Sequence, residues 1–167
     1  MPVEISLLIL AAGGEIVGKV RLQKMVYLLE QMGMADDYSF DYHHYGPYSA
    51  DLANEVDESI FNKEVAEEVR WRADGVGYSI YRQSRTSETV PENLGEFSFE
   101  EAYSALEAMQ RRSATVLELA ATIHWLAFVE EVPNWRTELV RRKGVKTERG
   151  RDREALELLR ELNLAPV

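Results

Sequence analysis

The stretch "TVLELAATIHWLAFVEE", residues 115 to 131, is apolar nearly all round at helical spacing. A helix with no polar face has to be enclosed by other elements, so this segment predicts the central buried helix. Everything else in the chain must therefore supply its cover. Thr115 with Glu118 reads as a capping box that opens the helix, and His124 as a hydrogen-bonded core histidine rather than a ligand.

The covering elements follow from periodicity and punctuation. A helix is predicted over about 3 to 12, stopped by Gly13-Gly14, and another over 19 to 32 with Leu22, Met25, Val26, Leu29 and Met32 on one face. Ser49 is placed to cap a helix carrying Leu52, Ala53, Val56 and Ile60. In "EVAEEVRWRADGVGYSIYRQS", Val65, Val69 and Trp71 alternate with polar residues, "ADGVG" is turn chemistry, and "YSIYR" is strand-like. That predicts a β-hairpin over 65 to 83. Residues 87 to 96 read as a linker. Beyond it, Ser98 and Glu101 open a helix over 98 to 111, Asn134 caps "WRTELVRRK", and a last helix carries Ala155, Leu156, Leu158, Leu159 and Leu162.

The expected fold is therefore mainly α: one domain over 1–167, with a winged helix-turn-helix-like half at 3–83, one β-hairpin as its wing, and a helical half at 98–164. The turn between the second and third helices, about 15 residues, is longer than the three or four of a standard DNA reader. At 167 residues the chain can bury roughly 70% of its unfolded surface.

Several function classes lose support on composition. There is no cysteine, which removes disulfides, thiolate nucleophiles and Cys-ligated zinc. His43 and His44 are adjacent, so on an extended chain they face opposite ways and cannot share one ion. No Gly-rich phosphate loop, GKS/T or G-x-S-x-G occurs, so neither a cofactor nor catalysis is expected. No apolar run approaches the ~20 residues of a membrane span, and "ISLLILAA" lacks a basic flank, so a cytoplasmic protein is expected.

Charge divides the chain. Residues 136 to 153 hold eight Lys/Arg against three acids, leaving that segment at +5 in a chain of net charge −10. Such a dipole suits pairing with a second copy or with a basic partner, and a solvated basic helix is the alternative reading. Nucleic acid is not an expected ligand, because "SADLANEVDESIFNK" holds four acids and one lysine and would repel phosphate. The alternative reading is a winged-helix DNA-binding transcriptional regulator, for which Arg70, Arg72, Arg82 and Arg85 in and after the hairpin would be the contacts.

The remaining singular feature is "FDYHHYGPYS", which gathers Tyr42, His43, His44, Tyr45 and Tyr48 around Gly46-Pro47. Together with "RLQKMVYLLEQMG" upstream, it resembles the Panacea antitoxin-like domain, in particular its YwgA-like relatives. Leu22, Gln23, Lys24 and Tyr27 match the first family motif, with Arg21 where lysine is commoner. Phe40, Tyr45, Gly46, Pro47, Tyr48 and Ser49 match the second, and the resemblance spans about 16 to 82. It implies a mostly helical, non-enzymatic protein of antitoxin type that neutralises a protein toxin. Two compatible readings of the motif follow. It is a corner of the fold, or it rims a partner-binding surface made of Gln23, Lys24, Tyr27, His44, Tyr45, Gly46, Pro47, Tyr48 and Ser49, since tyrosine is favoured at interfaces.

Overall fold

The computed structural model describes residues 2–84 and 89–167. In chain order the elements are α1 (Ile5–Ala11), β1 (Glu15–Val17), α2 (Lys19–Gln31), β2 (Asp41–His43), β3 (Gly46–Tyr48), α3 (Ala50–Phe61), β4 (Val65–Trp71) and β5 (Gly77–Gln83). Then come β6 (Asn93–Leu94), β7 (Phe97–Ser98), α4 (Phe99–Gln110), α5 (Ala114–His124), α6 (Trp135–Lys143) and α7 (Arg151–Glu161). A π-helical turn, Trp125–Val129, extends α5, and a 3₁₀ turn, Gly144–Thr147, joins α6 to α7.

The strands form three small antiparallel sheets, in orders β1-β5-β4, β2-β3 and β6-β7. This corrects the mainly-α expectation with a winged helix-turn-helix-like half and a single hairpin. The fold is mixed α/β, and the segment between α2 and α3 carries a hairpin of its own. The expected hairpin over 65 to 83 is present as β4 and β5, paired from Val65↔Gln83 to Trp71↔Gly77. It gains a third strand from β1, with Ile16 opposite Tyr81 and both buried.

α5 occupies the centre. Every residue from Val116 to His124 is buried, and the helix packs on α2, α6, α7 and β3. The hydrophobic cluster around it draws on both halves, from Ile5 and Leu8 to Leu158 and Leu162. The cap differs from expectation. Ser113, not Thr115, is the N-cap, its Oγ accepting from Val116 N–H at 3.1 Å. Glu118 is thereby released from the helix end and carried inward.

Elsewhere Ser49 Oγ accepts from Leu52 N–H at 3.1 Å to open α3, and Ser98 with Glu101 forms the expected capping box on α4. Asn134 stands at the start of α6 but its side chain makes no cap bond. The expected linker is corrected in its described part: Asn93 and Leu94 pair with Ser98 and Phe97, and Leu94 is buried. Residues 87 and 88 of that stretch lie outside the described residues. Among the described residues, no helix is long and apolar enough to cross a membrane.

Candidate functional site

The aromatic motif folds as the β2–β3 hairpin, with Asp41 opposite Tyr48, Tyr42 opposite Pro47 and His43 opposite Gly46. Two residues of α2 fix its return strand. Gln23 Nε2 donates to Ser49 O and Gln23 Oε1 accepts from Ser49 N–H, both at 2.9 Å. Lys24 Nζ donates to Pro47 O at 2.6 Å. From the other side, Lys143 Nζ donates to His44 O at 3.2 Å. Gly46, at φ +93°, lies so close to α5 that a Cβ there would come within 2.7 Å of Thr122 Oγ1.

Beneath the hairpin lies a buried ionic cluster. Glu118, 3% exposed, accepts from Lys143 and Lys146, each at 2.9 Å. Lys24 completes the group. Burial pushes its ammonium down to about 8, with Glu118 opposing the shift and Lys143 and Lys146 adding to it. Its Nζ is engaged by the hairpin backbone, where it serves as a structural donor.

Tyr27 lies deeper still. Its hydroxyl sits 2.7 Å from His124 Nδ1, and burial raises its pKa. Burial likewise pushes His124 down to about 4, so the imidazole is neutral. This is the hydrogen-bonded core histidine that the apolar helix implies.

The nine motif residues thus separate into two groups. Gln23, Lys24, Tyr27, Gly46, Pro47 and Ser49 are buried. Each is packed or hydrogen-bonded behind the hairpin, and Gln23 also borders a surface cleft. His44, Tyr45 and Tyr48 remain outside, joined by His43. Tyr45 is 49% exposed. His43 packs at a tilt on Tyr48 at 4.7 Å and His44 meets Tyr45 edge-on at 4.8 Å. Lys146 Nζ lies 4.9 Å from the Tyr45 ring centre, and the Arg142 guanidinium 4.8 Å from that of Tyr42. Beside the tip, Tyr48, Gln23, Lys19, Leu22, Asp57 and Tyr81 line a cleft of about 200 Å³.

The chain is 32% identical over 120 residues to the uncharacterised protein YwgA of Bacillus subtilis (strain 168), covering 71% of this chain and 70% of that one. The chain belongs to the YwgA-like family. No family model matches it, and no solved structure does. In this YwgA-like chain the hairpin rests on a buried lysine–glutamate cluster.

The arginines proposed for nucleic acid lie elsewhere, on the three-stranded sheet, and bind acids of their own chain. Arg70 pairs with Glu68, Arg72 with Asp74 at 3.3 Å, and Arg82 with Glu15 at 3.0 Å and Glu68 at 2.8 Å. Arg85 lies outside the described residues. Sequence reasoning missed Glu118, Thr122, Lys143 and Lys146 as parts of the hairpin's seat. A signal existed: Glu118 is a lone charge within an apolar helix, and such a charge needs a cation, which the basic segment supplies.

Proposed function

We propose that this protein is a non-enzymatic interaction module of the Panacea antitoxin-like type, which binds and neutralises a protein partner in the cytoplasm. The contact surface is the outer side of the β2–β3 hairpin: His43, His44, Tyr45 and Tyr48, with the adjoining cleft. One observation carries the reading. An exposed cluster of aromatic and imidazole rings stands on a hairpin whose backbone is held by Gln23, Lys24 and Lys143. Ordering a loop on binding costs free energy, and a surface ordered beforehand avoids that cost. Rigid tyrosines with few rotors are the side chains that gain most from it.

The partner predicted by this chemistry is a protein offering carboxylates or backbone carbonyls to His44, Lys146 and the tyrosine hydroxyls, with one apolar side chain for the cleft. The test begins with the tagged chain as bait in its native host and identification of the captured protein by mass spectrometry. Binding is then reconstituted from purified components, and the partner is expressed with and without this chain. Growth arrest by the partner, relieved by co-expression, is the expected result. A captured protein that binds equally well to His44→Ala/Tyr45→Ala would overturn the assignment of the surface. A partner harmless to growth would overturn the antitoxin role.

A further inference from the structure

The outer edge of the β1-β5-β4 sheet is a second, independent surface. β4 is the edge strand. Arg72 N–H donates to Val76 O at 2.9 Å and Ser84 N–H to Glu64 O at 3.1 Å, in continuation of the β4–β5 register. Hydrogen-bonded pairs alternate along an antiparallel ladder. The even-numbered residues of β4 therefore bond to β5, and Glu67, Val69 and Trp71 turn their N–H and C=O groups outward. None of the described residues hydrogen-bonds to those groups. Proteins usually blunt such edges with charged side chains, proline or a bulge; β4 has no proline or bulge, and its charges include Glu68 and Arg70 of opposite sign. Val69 is 53% exposed and Trp71 71% exposed, and the indole lies flat over Gly77 of its own hairpin.

We infer that β4 pairs antiparallel with β4 of a second copy of this chain, centred on Val69, making a two-fold dimer with a continuous six-stranded sheet. The side chains select this register. Sliding β4 past its twin centres the pair on Glu67, Glu68, Val69, Arg70 or Trp71. The first two set Glu67 on Glu67 or Glu68 on Glu68. The fourth sets Arg70 on Arg70, and the fifth sets Arg70 on Arg72. Like charges directly opposite destabilise a sheet. Only the Val69-centred register places each Glu68 opposite an Arg70 of the other copy, twice by symmetry. It also makes Val69 a hydrogen-bonded pair with itself, as its outward N–H and C=O require, and brings each Trp71 diagonally beside the other copy's Val69.

The surface is separate from the β2–β3 tip, so its failure and the failure of the proposed function are distinguishable. The test is sedimentation velocity of the full chain from about 5 to 200 µM, since small interfaces associate weakly. Wild type should dimerise with rising concentration. Arg70→Glu alone and Glu68→Arg alone each set like charges across the interface twice, and each should weaken dimerisation by roughly tenfold or more. Mixed together, the two variants restore opposite charges at both positions, and the mixture should dimerise as wild type does. Val69→Pro removes one outward N–H without touching a bond to β5, and should abolish the dimer. Any one of four results overturns the inference: a wild type monomeric throughout, single variants that dimerise normally, a mixture that stays monomeric, or a Val69→Pro dimer.

Discussion

Gly46 concentrates the hairpin's demands on a single residue. Its φ of +93° is one that L side chains rarely adopt, and the Thr122 hydroxyl occupies the space a methyl would need. Gly46→Ala adds backbone strain to a steric clash against a packed helix, and should cost about 2–4 kcal/mol of stability by urea denaturation. His124 sets a pH dependence. It is 6% exposed, and its folded pKa near 4 lies below the ~6.5 of an unfolded histidine. Between those values the unfolded chain binds the proton more readily. The contribution is complete above about pH 6.5 and is lost as pH falls through about 4, on the order of 3 kcal/mol in all. Denaturation of wild type and His124→Gln at pH 7.5 and 4.5 measures it. The variant should lose clearly less stability over that interval than wild type, and equal losses would refute the assignment.

Among elements, the seat of the hairpin depends on α5 and α6 more than on the hairpin's own sequence. Removing the charge of Glu118 leaves Lys143 buried without its counter-ion, so Glu118→Gln should cost about 3 kcal/mol or more. Lys146, more than a third of its side chain in solvent, contributes little, and Lys146→Ala should cost less than about 1 kcal/mol by the same method. The helices were legible because each carries a 3.6-residue apolar period and punctuation, as with Ser49 before α3 and the Ser98–Glu101 box on α4. The long β4–β5 hairpin was legible for the corresponding reason, alternation bounded by turn residues. The short strands were not. Three residues such as Glu15–Val17 are too few to show a period, and β1 exists because Ile16 meets Tyr81, far along the chain. The second capping box was misread because Thr115 and Glu118 satisfy its pattern, yet Ser113 takes the cap one residue pair earlier and burial claims Glu118 for Lys143. Of the site, the motif residues were visible as a cluster. Which of them face inward depends on Gln23 and Lys24 reaching from α2 to the backbone of Pro47 and Ser49, and local spacing does not encode that.

For the molecule as a whole, the GPYS motif divides its labour between support and contact. Support comes from buried groups that hold one backbone conformation, and contact from rings that this conformation presents. The two duties should separate under mutation. Gln23→Ala deletes two buried hydrogen bonds to Ser49 and should lower stability by about 2–3 kcal/mol. His44→Ala/Tyr45→Ala removes exposed rings and should change stability by less than about 1 kcal/mol. The decisive measurement is titration calorimetry of the purified partner against wild type and His44→Ala/Tyr45→Ala, with urea denaturation of both chains alongside. The expected result is a loss of affinity of about a hundredfold or more with the fold intact, the signature of an interface hot spot. A double variant that keeps its stability and binds the partner as wild type does would contradict the division, and a double variant that unfolds would show that the rings belong to the support.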